Sequence, residues 1–63
     1  MSRLLSVIWR SDPYRCELHQ SFGLLELRLY VGDQLHQLST CRDSVEAEKI
    51  AERWLAEQNR HAT

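Results

Sequence analysis

The sequence predicts an α+β fold: a three- to four-stranded antiparallel meander with one C-terminal helix packed on one face (β-β-β-β-α). Three observations carry that expectation. Apolar and polar residues alternate with a period of two through the first two thirds of the chain. The last third changes to the i, i+3, i+4 spacing of a helix. Turn-forming pairs, Asp12-Pro13, Phe22-Gly23 and Gly32-Asp33, fall between the alternating segments.

The first strand is expected over about Leu4 to Trp9 and is apolar on both faces, ending where Asp12-Pro13 breaks the chain. From Tyr14 to Gln20 the even positions Tyr14, Cys16 and Leu18 are apolar, while Arg15, Glu17 and His19 lie between them. After Phe22-Gly23 the parity inverts, with Leu25, Leu27, Leu29 and Val31 apolar and Glu26 and Arg28 interposed. Strands send successive side chains to opposite faces, so each segment has one dry and one wet side, the pattern of an antiparallel sheet open to water on one face. Gly32-Asp33 supplies the positive φ of a tight hairpin, and Gln34 to Cys41 returns as a further strand. Asp43 with Glu46 three residues on resembles a capping box, with Ser44 the competing cap. Ala47, Ile50, Ala51, Trp54, Leu55 and Gln58 then share one face of a helix expected over about Ser44 to Asn59. Acidic Glu46, Glu48 and Glu52 suit its N-terminal half, and Arg60 with His61 its C-terminal end.

Charge selects a register for the second hairpin. A four-residue loop would set Glu17 against Glu26 and Arg15 against Arg28. A two-residue Phe22-Gly23 turn instead sets Glu17 against Arg28 and His19 against Glu26, pairing Leu18 with Leu27 and Cys16 with Leu29. Opposite-charge cross-strand pairs are worth roughly 0.2–1 kcal/mol each, so the second register is expected. The core then comprises Leu5, Val7, Trp9, Tyr14, Cys16, Leu18, Leu25, Leu27, Leu29, Leu38, Ala47, Ile50, Ala51 and Trp54.

Composition narrows the function. Sixty-three residues with 43% hydrophobic and 27% charged content suit one small globular domain, residues 1–63. A chain of this size buries only about 60% of the surface its unfolded form exposes, so its stability is expected to be marginal or helped by a partner. A net charge of −1 removes the electrostatic case for a nucleic-acid or anionic-membrane binder. No stretch approaches the roughly 18 apolar residues of a membrane span. The run Leu4-Leu5-Ser6-Val7-Ile8-Trp9 is shorter than the ~7–15-residue apolar centre of a signal peptide, so a cytoplasmic chain is expected. Cys16 and Cys41 are read as reduced, small core residues. With His19 and His36 they contain no C-x-x-C or H-x-x-x-H spacing, so neither a metal nor another cofactor is expected. His19 beside Glu26 has the form of a base and its orienting carboxylate, but no Ser or Cys nucleophile shares that face. No catalytic motif is present, and a non-enzymatic role is expected.

Two binding roles remain. The layout of three strands and a helix, from Tyr14 to Leu55, resembles that of plant AP2-type and phage-integrase arm domains, whose sheets lie in the DNA major groove. That resemblance is one of layout without a shared motif. It implies a small nucleic-acid-binding module using Arg15 and Arg28 on the exposed sheet face. Against it, Glu17 and Glu26 lie among these arginines and offset the field that phosphate contact requires. The other role rests on apolar residues that alternation assigns to solvent: Leu4, Ile8, Leu24, Tyr30 and Leu35. Gathered together they would form an interface patch, on the sheet face or along the edge of the first strand. The expected function is therefore a small binding or assembly module, a homodimer or one that engages a protein partner.

Overall fold

The structure is a computed structural model and describes residues 2–61, the side chain of His61 excepted, so the place expected for that imidazole lies outside the described residues. Four strands, β1 (Arg3–Ser11), β2 (Tyr14–Ser21), β3 (Leu24–Val31) and β4 (Gln34–Cys41), precede one helix, α1 (Ser44–His61). The strands form a single antiparallel sheet in chain order, β1-β2-β3-β4. The α1 helix contacts β1, β3 and β4 from one side. This is the β-β-β-β-α layout that the two periodicities predict.

Each turn follows from its residues. Asp12-Pro13, joined by a cis peptide bond, connects β1 to β2. Phe22 (φ 51°) and Gly23 (φ 77°) both adopt positive φ, as a two-residue type I′ hairpin requires. Gly32 (φ 61°) opens the β3–β4 turn, and its N–H donates to the Pro13 carbonyl at 2.9 Å, tying the two neighbouring turns together. Asp43 caps the helix: its Oδ1 accepts from the Glu46 N–H at 2.8 Å. The Glu46 carboxylate reaches back to the Arg42 N–H at 3.1 Å, one residue earlier than in a standard capping box.

The β2–β3 ladder has the register expected from charge, with Glu17 opposite Arg28, His19 opposite Glu26, Leu18 opposite Leu27 and Cys16 opposite Leu29. Cys16, Leu18, Leu27, Leu29, Cys41, Ala47, Ala51 and Trp54 form the buried core, flanked by the partly buried Ile8, Trp9, Tyr14, Leu25 and Ile50. Ala47 and Ala51 are fully buried, and small side chains there let the helix backbone approach the sheet. The indole Nε1 of Trp9 donates to the Ala51 carbonyl at 2.8 Å, anchoring the outer strand to the helix.

Both outer strands depart from simple alternation, and the core differs from expectation as a result. In β1 the register shifts between Leu4 and Ser6 and again between Val7 and Trp9. In β4 it shifts between the pairs Leu29–Gln37 and Tyr30–Leu35. Each shift is a bulge that inserts one unpaired residue (Leu5, Ile8 and His36), and one inserted residue moves all those beyond it to the opposite face. Val7 therefore pairs with Glu17, and Leu38 with Arg28, on the side away from the helix. Leu5, Val7 and Leu38, all expected in the core, are 42%, 41% and 52% exposed. Ile8, assigned by alternation to the wet side, instead packs against the core. Cys41 and Ser39 take the β4 positions opposite Leu25 and Leu27.

Phe22 bends into the left-handed region at a cost that asparagine largely avoids, and its side chain is 90% exposed. Phe22→Asn should therefore raise folding stability by roughly 0.5–1 kcal/mol. The increase should register as a melting temperature a few degrees higher, followed by far-UV circular dichroism.

Candidate functional site: the open sheet face

Cross-strand partners share a face, so the ladder registers place every residue on the side that α1 leaves uncovered. Three rows run across it from β1 to β4: Leu4, His19, Glu26 and Thr40; Val7, Glu17, Arg28 and Leu38; Arg10, Arg15, Tyr30 and Leu35. Leu24 extends the face towards the β2–β3 turn, opposite Ser21. The two central strands supply the polar groups, and the two outer strands supply Leu4 and Val7 on one side and Leu35 and Leu38 on the other. The bulges make this possible. Residues three apart, such as Leu4 and Val7 or Leu35 and Leu38, would point to opposite faces of a regular strand.

The polar centre is bonded along each strand rather than between strands. On β2, Glu17 takes the guanidinium Nε of Arg15 on one carboxylate oxygen and meets His19 Nε2 at 2.8 Å on the other. On β3, Arg28 donates to Glu26 at 2.9 Å and, more weakly, to the Tyr30 hydroxyl at 3.4 Å. The Arg15 guanidinium also lies 5.0 Å from the centre of the Tyr30 ring, a cation–π contact that bridges the two strips. His19 and Glu26 are register partners, as expected, but the imidazole is bonded to Glu17 instead. Long side chains easily span the roughly 7 Å between residues i and i+2 of a strand.

These contacts draw the centre of the face shut. His19 is only 8% exposed, and its Nδ1 and the Nε of Arg28 are buried without a protein partner. Desolvation pushes the Glu17 carboxyl up. The hydrogen bonds from His19 and Arg15, together with their charges, outweigh it and hold the group below its usual value of 4.5. The Arg28 guanidinium is pushed up by its bonds to Tyr30 and Glu26.

Of the five residues singled out as interface candidates, Leu4, Leu24, Tyr30 and Leu35 lie on this face, with Leu4, Leu24 and Leu35 each about half exposed. They do not form one cluster: Leu4 and Leu35 stand on opposite outer strands. Ile8 is absent from the face because its bulge turns it towards the core. Val7 and Leu38 take part although alternation assigns them to the interior. Phe22 is a further exposed apolar group that sequence reading treats only as a turn residue. Its signal is a phenylalanine where a type I′ turn ordinarily carries Asn, Asp or Gly.

Elsewhere the chemistry is quiet. Burial pushes the Cys16 thiol up to about 12, with smaller contributions from Cys41 and Glu17, and it likewise raises the Cys41 thiol. Neither sulfur supplies thiolate near neutral pH. Cys16 faces the core while His19 faces outward, so the two do not converge on one ligand. Among the described residues there is no pocket, no group of three metal-ligating side chains, and no helix long and apolar enough to cross a membrane.

The Glu17 contacts imply a pH dependence. A carboxyl held low in the folded state contributes stability that is complete above its unfolded value and is lost as the pH falls through the folded one. The melting temperature should accordingly drop as the pH is lowered from about 5 towards 3. Glu17→Gln should cost roughly 1–2 kcal/mol at pH 7 and flatten that drop, as measured by urea unfolding across the pH range. Comparison of the chain with protein-family models, with curated proteins and with solved structures finds no match.

Proposed function

We propose that this chain is a small, non-enzymatic docking module that works through its open sheet face and takes a protein partner there. One observation carries the reading: bulges in both outer strands set Leu4 and Val7, and Leu35 and Leu38, on either side of a closed polar centre. Apolar groups flanking oriented polar ones match the composition of protein interfaces, where the apolar groups supply most of the affinity and the polar ones set orientation. The helix-side core already holds Cys16, Leu18, Leu27, Leu29 and Trp54, so the outward leucines are not needed to close it.

The face is favoured over the strand edges as the contact surface. Bulges interrupt the regular row of backbone donors and acceptors that strand addition would use, and β1 and β4 both carry them. A nucleic acid is the weaker alternative. Arg15 and Arg28, the arginines on which that reading relies, are already engaged by Glu17 and Glu26. A phosphate backbone also offers no partner for the half-exposed Leu35 and Leu38.

Photocrosslinking inside the cell tests the reading. Benzoylphenylalanine at position 35 or 38 should yield a discrete protein adduct, and the same group at exposed position 52 of α1 should not. Adducts only from the helix, or none from the sheet face, would remove the docking role. Binding of a duplex oligonucleotide that weakens steeply with salt would favour the nucleic-acid alternative.

A further inference from the structure

We infer that the partner presents a carboxylate to the open face, an aspartate or glutamate side chain set among apolar residues, and that Arg10 and Arg15 receive it. This rests on the docking reading above and deepens it by naming the chemistry of the partner.

Arg10 and Arg15 are register partners at the end of the sheet next to the β1–β2 turn, so two guanidinium groups stand side by side on the uncovered face. Like charges directly opposite each other in an antiparallel pair are destabilising, and this pairing therefore costs the isolated domain stability. The two arginines differ in what they already hold. Arg15 commits its Nε to Glu17 and lies over the Tyr30 ring, which fixes the group and leaves its two terminal nitrogens without an acceptor. Arg10 is exposed and, among the described residues, has no ion-pair partner. Asp12 and Asp33, in the turns at this end of the sheet, do not pair with it. Arg28, the remaining cation of the face, is bonded to Glu26 and Tyr30.

The face therefore holds an unneutralised charge in one place. With His19 counted neutral it carries Arg10, Arg15 and Arg28 against Glu17 and Glu26, one positive charge in excess, although the whole chain carries −1. The excess lies with Arg10. Guanidinium groups bind carboxylates through paired N–H donors, and a fork already held in place loses less freedom on doing so. A run of phosphates needs several free cations in line, whereas this row offers one free guanidinium beside one partly committed. Val7, nearby on β1, and Leu35, at the far end of the same row, are both substantially exposed, so the surroundings of the carboxylate are apolar. An exposed ion pair contributes little alone, so the carboxylate sets where the partner lies and the apolar contacts supply most of the affinity.

NMR titration with three probes tests the assignment: the capped tripeptide leucyl-glutamyl-leucine, its glutamine counterpart, and inorganic phosphate. The glutamyl peptide should shift the side-chain signals of Arg10 and Arg15 and bind at least about threefold more tightly than the glutamine peptide. Arg10→Gln should abolish that preference while leaving the protein at least as stable as the wild type, because the like-charge pair is gone. The same substitution should weaken the adduct formed from benzoylphenylalanine at position 35. Absent or equal binding of the two peptides, or a preference that Arg10→Gln leaves intact, overturns the carboxylate site. Phosphate bound more tightly than the glutamyl peptide overturns it as well. Adducts from positions 35 and 38 that persist undiminished in Arg10→Gln also overturn it but keep the docking role standing. A wild-type face that yields no adduct removes the docking role itself, and the inferred partner with it.

Discussion

A strand shows its side chains alternately to two faces, so a four-stranded sheet backed by one helix has a dry side and a side that must be dealt with some other way. The arrangement here is governed by single extra residues in the two outer strands. With Leu5 and Ile8 unpaired in β1 and His36 unpaired in β4, alternation restarts at each bulge. Without those insertions Val7 and Leu38 would lie beneath the helix opposite Leu18 and Leu27. With them, Trp9 still reaches the Ala51 carbonyl, the core closes on fully buried Leu27 and Leu29, and a valine and a leucine pass to the outer surface. The bulges thus link two properties that are usually separate: how tightly the core packs and what the far side of the sheet offers.

The far side is neither a solvated surface nor a second core. A regular polar face would leave Glu17, Arg28 and His19 extended into water. Instead they lie along their own strands and shield one another, to the point that the imidazole is almost fully buried. Such a surface has lower hydration to lose on contact than one of freely exposed charges, while its leucines remain available at the margins. The face thus joins a mutually shielded polar centre to half-exposed apolar margins. The Glu17 and Glu26 carboxylates find cationic partners within the face, whereas the Arg28 Nε and the His19 Nδ1 are buried without one.

Much of this is legible in the sequence, for identifiable reasons. The helix is announced by its 3.6-residue stripe from Ala47 to Gln58 and by Asp43 with Glu46 at its start, both local signals. The β2–β3 register is legible because only one alignment sets Glu17 against Arg28 while keeping Leu18 on Leu27. The outer strands are a different matter. A bulge answers to sheet twist and to the lack of a neighbour on one side, neither of which the local sequence encodes, so alternation carried through Leu5 and Val7 places them in a core they do not join. The same blindness puts Ile8 outside and Leu38 inside. Parity alone therefore marks Leu4, Leu24, Tyr30 and Leu35 for the open face, whereas Val7 and Leu38 reach it only through the bulges.

The β2–β3 turn sets an unfavourable residue beside the open face. A chain selected for stability alone would place asparagine or glycine at the first turn position, where the backbone is left-handed; this one places phenylalanine there and leaves the ring in water. Both features are unfavourable in the isolated domain, the first through backbone strain and the second through exposed apolar area. They share a location, at the end of the sheet that Leu24 joins to the open face. Contact with a partner would leave the strain in place but would bury the ring, recovering part of what its exposure costs. Both departures belong to the single residue Phe22, and they fall beside the face that α1 leaves uncovered.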